Sequence, residues 1–255
     1  MSKKAKETTE LSVSRPVSPS WITPVPKDIE VEGLENMRPS DLLVPRLILL
    51  QGLSPRVVEG SNVAGQIINS ITEMVWVKKD EEVIFIPIYH FLEWIRWGDR
   101  ETGEGIQERS LDPEGTLAQM AMRQIKHSTS TGISVFTVTE YHNFVSLFPM
   151  IDAQFAVVIS CAKTNVKKGR KLLGLARYRG RYPLYAGQYT IKAVIETNRA
   201  GQKYYTYEFN NAGWTDREIY RDVQKLYTII KEAYAQRKLF THQKEEETLN
   251  NETEM

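Results

Sequence analysis

Alternation of branched or aromatic residues with polar ones sets the strongest limit on how this chain can fold. Such alternation places every second side chain on the same face, as in a half-buried β-strand. Seven stretches show it, at residues 66–77, 83–97, 133–148, 155–162, 171–179, 188–196 and 202–209. Clusters of Gly, Asn, Asp and Lys separate them, which favours antiparallel connections. We therefore expect a mainly β (α+β) fold.

The clearest local element is a hairpin made by the last two stretches. Residues 188–196 alternate strictly, and residues 198–201 supply a turn. On the second arm, alternation places Tyr205, Tyr207 and Phe209 on one face.

Two helices are predicted between and after these strands. Thr215 and Glu218 have the spacing of a capping box, and apolar residues follow at helical spacing as far as Tyr234. A shorter inserted helix is predicted at 116–126. Near the start, Pro45 interrupts an apolar segment, which argues against one continuous helix and favours an apolar plug or an edge segment.

Both ends of the chain have little to bury. We expect a disordered arm at 1–38, one folded domain at 39–240 and an acidic disordered tail at 241–255. The single cysteine excludes an internal disulfide framework and a thiolate zinc site. No segment has the pattern of a signal peptide or a membrane anchor. We expect a soluble, cytoplasmic protein.

The densest charge in the sequence lies at residues 163–181. Eight Lys and Arg residues occur among these nineteen, which include no acid, although the net charge of the chain is only +1. Such a patch attracts phosphates by counterion release, and nearby tyrosines offer faces on which unpaired bases stack. The sequence therefore predicts a groove for single-stranded DNA. The predicted phosphate contacts are Lys163, Lys167, Lys168, Arg170, Lys171, Arg177, Arg179, Arg181 and Lys192, and the predicted stacking residues are Tyr178, Tyr182 and Tyr185.

The turn residue Gly169 favours a β-hairpin whose tip is 167–170 and whose arms, 157–164 and 171–178, present the charges to one groove. A second aromatic cluster lies in 83–97, where Trp94 and Arg96 point the same way and are further candidates for a base contact. The structural alternatives are a solvated loop for the charges, packing between strands for the tyrosines, and core packing for the tryptophan.

The sequence lacks the patterns expected of a catalytic, metal or cofactor site. None of the four histidines has the helical spacing with a glutamate that a zinc site needs, and the Gly-x-x-x-x-Gly-Lys-Ser/Thr phosphate loop is missing. We expect a protein that is not an enzyme and holds no cofactor. Two alternatives stay open: a metal-dependent nuclease using the acidic loop 99–114, or a structural or assembly protein whose basic run binds an acidic protein partner.

The acidic tail suggests a means of regulation. Residues 243–255 contain five glutamates and one lysine. A flexible anionic segment can occupy a cationic groove at high effective concentration, compete with nucleic acid, and recruit partner proteins once released. An ordinary solubilising tail is the alternative.

Taken together, the β-rich body, the basic and aromatic groove, the closing helix and the acidic C-terminus resemble the single-stranded DNA-binding proteins of bacteriophages. Residues 42–52 and 187–214 are also similar to phage replication proteins of this kind. The resemblance implies an OB-like antiparallel barrel that coats single strands during DNA replication or recombination in the bacterial host cytoplasm. It also implies that replication or recombination proteins bind the tail. This tail ends in Met255, whereas many such tails end in an aromatic residue.

Overall fold

Most of the alternating segments become strands of one sheet. The computed structural model describes residues 45–98, 105–131, 137–198 and 200–235, without side-chain detail at 128–131, 153 and 154. The strands are β1 (Arg46–Leu49), β2 (Ile67–Asn69), β3 (Val75–Val77), β4 (Val83–Trp97), β5 (Ile106–Ser110), β6 (Val138–Phe148), β7 (Asp152–Ala162), β8 (Gly187–Thr197) and β9 (Lys203–Trp214). The helices are α1 (Pro55–Val58), α2 (Thr116–Thr131), α3 (Val166–Tyr178) and α4 (Arg217–Ala235).

The sheet is strongly curled and forms a half-barrel. Its strand order is β3-β2-β1-β7-β6-β4-β8-β9, and β5 pairs with β4 outside this path. The long strand β4 connects the parts, because Val83–Phe85 pair with β8, Ile86–Arg96 pair with β6, and Trp94–Trp97 pair with β5. Curling brings the two ends of the path together, so Trp76 of β3 and Phe209 of β9 belong to the same core.

Helix α3 closes the concave side of the sheet. Its Leu172 is fully buried among Phe85, Phe144 and Tyr207 in the inner core. The helix backbone lies directly on the sheet at Gly169, where an added Cβ would stand 3.0 Å from the Cβ of His142 and 3.1 Å from the Cβ of Cys161. Even alanine at this position would require α3 or its neighbours on the sheet to shift by a few tenths of an ångström.

The other two long helices pack on opposite faces of the sheet. Helix α4 covers the convex face, and α2 lies on the same face as α3, since Val138 alternates with His142 and Phe144 along β6. Val223 and Ile230 of α4 pack on Ile86 and Val145 of the sheet. Leu117, Ala118 and Ala121 of α2 pack on Trp94 and Val138 at the far end of β4 and β6. Both helices therefore lie on the sheet by an apolar stripe, as their sequence spacing requires.

Two side-chain amides form hydrogen bonds with backbone groups on the outer edge of β9. The Gln51 side chain donates from Nε2 to the Tyr205 carbonyl at 2.9 Å and accepts the Tyr205 N–H at 2.8 Å. Asn165 Oδ1 accepts the Tyr207 N–H at 2.9 Å. Because Gln51 follows β1, its amide also ties the β1 region to the last strand of the sheet.

Several sequence predictions are confirmed. β4 has the predicted bounds, the β8–β9 hairpin forms, and α2 and α4 lie where helices were expected. Tyr205, Tyr207 and Phe209 all face the inner core. Helix α4 begins at Arg217, so Asp216 stands at the cap position instead of Thr215, whose hydroxyl donates to the Tyr185 carbonyl.

Other predictions are wrong. Residues 171–179 are not a strand, and 157–178 is not a hairpin, because 166–178 form α3. Residues 66–77 form two short strands joined by a turn. β1 is an interior strand and pairs in parallel with β7, which departs from the all-antiparallel sheet and from the predicted edge position. The arm 1–38, the tail 241–255 and the start of the predicted strand at 133–136 lie outside the described residues.

The edge amide can be tested by substitution. We expect Gln51→Leu to lower the free energy of unfolding by about 1 to 3 kcal/mol, because it leaves the Tyr205 N–H and carbonyl unpaired. Urea denaturation measures the difference. Gln119→Leu is the control, because this exposed amide of α2 makes one bond to the Glu114 carbonyl. Equal unfolding free energies for Gln51→Leu and the parent protein would contradict the role.

Candidate nucleic-acid interface

The basic run is presented as one face of helix α3. Its exposed positions recur every three or four residues, the spacing of a single helical face, and they are Lys167, Arg170, Lys171, Gly174, Arg177 and Tyr178. The opposite positions Gly169 and Leu172 are buried on the sheet. At 1.5 Å per residue, the cations from Lys167 to Arg177 span about 15 Å along the helix axis. We call this surface the α3 face.

Three of the predicted cations form ion pairs with neighbouring strands. Lys168 bonds to Glu196, Arg170 to Glu140 at 3.0 Å, and Lys192 to Glu208 at 2.9 Å. The hydrogen bond from Lys168 lowers the pKa of the Glu196 carboxyl, and the bond to Glu208 raises the pKa of Lys192. The first pair joins α3 to the β8–β9 hairpin, the second joins α3 to β6, and the third lies within the hairpin, so part of the positive charge is already neutralised.

Four other cations carry the net charge of the surface. Among the residues described here, no carboxylate lies within ion-pair distance of Lys167, Lys171, Arg177 or Arg181. All four are exposed, and Lys171 Nζ donates to Asn210 Oδ1 at 3.5 Å. Lys163 is also exposed, in the turn before α3, with φ +49°. The uncompensated charge therefore follows α3 and continues past its C-terminal end.

Arg179 was predicted to contact phosphate, but its guanidinium is held inside the protein. It lies over the rings of Tyr189 and Trp214, 4.9 Å from the centroid of each. It donates to the Gln188 carbonyl at 3.0 Å and to Asn211 Oδ1. Since the group is sandwiched between two rings, Arg179 acts in packing, and the phosphate contact predicted for it stays a prediction.

The predicted stacking tyrosines separate into exposed and buried rings. Tyr178 is 93% exposed and Tyr182 is 62% exposed, whereas Tyr185 is 5% exposed. The Tyr185 ring packs against Tyr220 and Tyr227 of α4, at centroid distances of 5.2 and 5.4 Å. Tyr185 therefore has no free face for a base, because α4 covers it.

The second aromatic cluster does not reach this surface. Trp94 is buried under α2, and Arg96 pairs with Glu108 of β5 at 3.5 Å. Core packing therefore accounts for Trp94, which is 4% exposed, while the base contact predicted for the partly exposed Arg96 stays a prediction.

Sequence reasoning missed one exposed ring beside the α3 face. Trp214 ends β9, is 54% exposed and meets Tyr182 edge to face at a centroid distance of 5.0 Å. In the sequence it precedes a helix cap, so no local pattern distinguishes it from a core residue. The signal is spatial, since the residue becomes a neighbour of Tyr182 only after β8 and β9 pair.

A buried chain of hydrogen bonds supports α3 from beneath. His90 Nε2 lies 3.1 Å from His142 Nδ1, and His142 Nε2 lies 3.0 Å from Glu140 Oε1, the atom that also accepts from Arg170. Because a carboxylate only accepts, His142 donates a hydrogen bond from Nε2 to Glu140. Its Nδ1 then accepts a hydrogen bond from Nε2 of His90. Burial, with a smaller contribution from His142, lowers the pKa of His90 to about 4. The bonds from His142 and Arg170 lower the pKa of Glu140.

The acidic loop provides no metal cluster within the described residues. No group of three or more His, Cys, Asp or Glu side chains suited to a metal ion occurs in that part of the chain. Glu108 is paired with Arg96, while Asp112 and Glu114 are exposed. Asp99, Glu101 and Glu104 lie outside the described ranges.

Fold and surface together define a mainly β protein in which a curled half-barrel sheet holds a basic helix with its charged face outward. The chain belongs to the family described as Pam3 phage gp34-like protein, whose model matches residues 15–236. No curated protein and no solved structure matches it. None of the described helices is long and apolar enough to cross a membrane.

The buried histidine chain predicts a pH-dependent stability. His90 has a pKa of about 4 in the folded protein against 6.5 when unfolded, so its contribution is full above pH 6.5 and is lost as the pH falls towards 4. We expect His90→Gln, which keeps a donor for His142, to reduce the loss of unfolding free energy between pH 7 and pH 5 by about 2 kcal/mol.

Urea unfolding at several pH values measures this dependence. His127→Gln is the control, since this histidine is exposed on α2. Parallel pH profiles for His90→Gln and the parent protein would show that His90 is not held neutral by burial.

Proposed function

We propose that this protein binds single-stranded DNA without sequence preference, through the α3 face and the segment that follows it. The observation that carries the proposal is the alignment of uncompensated cations with exposed aromatic rings. Lys167, Lys171, Arg177 and Arg181 supply charge, and Tyr178 and Tyr182 supply ring faces. Phosphates release counterions when they meet such cations, and unpaired bases stack on such rings.

The exposed rings favour single strands over duplex DNA. In a duplex the base faces are already stacked, so a protein that offers only cations binds either form. A largely exposed tyrosine at the end of a basic helix gains contact area when an unpaired base covers it. Stacking is worth about 1 to 3 kcal/mol per base, enough to give a measurable preference.

The OB-like comparison applies to the curled sheet in a limited sense. An OB-fold is a five-stranded, partly open barrel that binds nucleic acid on the face of its strands. Within the described residues the sheet has nine strands, and its concave side is filled by the inner core and by α3. The proposed DNA path therefore runs over α3 instead of across open strands.

Membership in a phage protein family supports a role in phage DNA replication or recombination, in the cytoplasm of the bacterial host. In this proposal the protein is not an enzyme and coats the strand.

The acidic tail 243–255 competes with DNA for the α3 face, and replication or recombination proteins bind the tail after its release. Deletion of the tail would then raise the affinity for DNA at low salt.

The salt dependence of binding tests the proposal. With four phosphates neutralised by Lys167, Lys171, Arg177 and Arg181, the logarithmic slope of affinity against salt is about −3, at 0.7 per phosphate. We expect the double variant Lys171→Gln with Arg177→Gln to reduce the slope by about 1.4. Fluorescence anisotropy of a labelled oligo-dT, titrated at several salt concentrations, gives both slopes.

The matched control removes the same charge from the opposite side of the sheet. Arg221→Gln with Lys231→Gln changes two exposed cations of α4 and leaves the α3 face intact. A slope near zero for the parent protein, or equal slopes for the two double variants, would contradict the proposal. Cleavage of the oligonucleotide with magnesium or manganese would support a nuclease instead, and a failure to bind at all would support an assembly protein with an acidic partner.

A further inference from the structure

We infer that Trp214 and Tyr182 form a receptor for one unpaired nucleobase, and that Arg179 holds this receptor in place. The inference rests on the proposed function and adds a defined base site to it. It adds Trp214, which the sequence analysis did not single out, and gives Arg179 a positioning role in place of a phosphate contact.

The two rings form an open corner. Their planes are 77° apart with centroids at 5.0 Å, and each ring is more than half exposed, at 54% for Trp214 and 62% for Tyr182. A flat ring that enters the corner can stack on one wall while its edge meets the face of the other. Both offset-stacked and edge-to-face contacts are favourable for aromatic rings.

Arg179 fixes the position of the tryptophan wall. Its guanidinium lies between the exposed Trp214 ring and the fully buried Tyr189 ring, at 4.9 Å from each centroid. The bonds to the Gln188 carbonyl and to Asn211 Oδ1 hold the guanidinium plane. An exposed tryptophan is therefore anchored from behind to the core, so little side-chain entropy is lost when a ligand binds.

The backbone is also shaped for this arrangement. An irregularity in the β8–β9 ladder falls just before Trp214, where Gln188 pairs with Gly213 and Tyr189 pairs with Asn211. Gly213 has φ +118°, and its N–H donates to Asn211 Oδ1 at 3.1 Å. At Gly187, an added Cβ would stand 2.7 Å from Nη1 of Arg179, so only glycine leaves room for the guanidinium.

Charge around the corner selects a nucleotide as the occupant. The corner follows the C-terminal end of α3, where Arg177 and Arg181 are exposed and have no ion-pair partner among the described residues. A nucleotide can place its base against the two rings and its phosphate beside these cations. A neutral apolar ligand would use only the rings.

The test compares two strands that differ only in their bases. Oligo-dT and an abasic oligomer of the same length carry the same phosphates, so their affinity ratio reports base contacts alone. We expect Trp214→Ala to weaken oligo-dT binding roughly 5- to 150-fold while the affinity for the abasic strand is unchanged. Tyr182→Ala should lower the same ratio, and Trp214→Phe should restore part of it.

Arg179→Met tests the positioning role, because it removes the bonds to Gln188 and Asn211 and leaves both rings in the chain. It should lower the dT-to-abasic ratio without changing the abasic affinity. Phe155→Ala is the control for loss of an exposed ring, on β7.

An unchanged ratio in both Trp214→Ala and Tyr182→Ala would overturn the base receptor while leaving strand binding by the α3 face intact. Absence of binding to either strand by the parent protein would instead overturn the proposed function itself. The surface variant Tyr182→Ala keeps the test decisive if Trp214→Ala does not fold.

Discussion

The close contact between α3 and the inner face of the sheet is the constraint on which the rest of the structure depends. Gly169 permits that contact, and Leu172 anchors it in the core. Because one side of the helix is committed to the sheet, its remaining positions face outward together. The same packing that fills the half-barrel therefore gathers cations, spread over eleven residues of sequence, into one surface.

Ion pairs and hydrogen bonds to neighbouring strands also hold α3 on the sheet. Lys168 and Arg170 reach carboxylates on β8 and β6, and the buried His90–His142 pair holds the Glu140 carboxylate that Arg170 meets. These ion pairs neutralise some of the positive charge that the sequence places in residues 163–181. The charge that remains available to a ligand lies on a row of cations that have no ion-pair partner within the described residues, and this row ends at exposed aromatic rings.

Much of the β architecture could be predicted from sequence, because alternation is a local signal. β4 and the β8–β9 hairpin follow directly from it. The hairpin predicted at 157–178 rests on the charges and on Gly169 as a turn residue, but helix α3 forms there instead. Leu172, Leu173 and Ala176 have helical spacing, but this apolar stretch is short and is flanked by the cations Lys171 and Arg177. Contacts such as Gln51 with Tyr205 join residues 154 positions apart, and no local pattern indicates them.

The positions of the cations in the candidate site could be predicted from the sequence, but the exposure of its aromatic rings could not. Exposure depends on which helix covers which ring, so the sequence could not distinguish the exposed Tyr182 from the buried Tyr185.

Photocross-linking of a halogenated deoxyuridine oligonucleotide, followed by peptide mass spectrometry, tests the central claim most directly. Cross-links concentrated in residues 166–182 and at Trp214 are the predicted result. Cross-links confined to α4 or to other surfaces of the protein would contradict it.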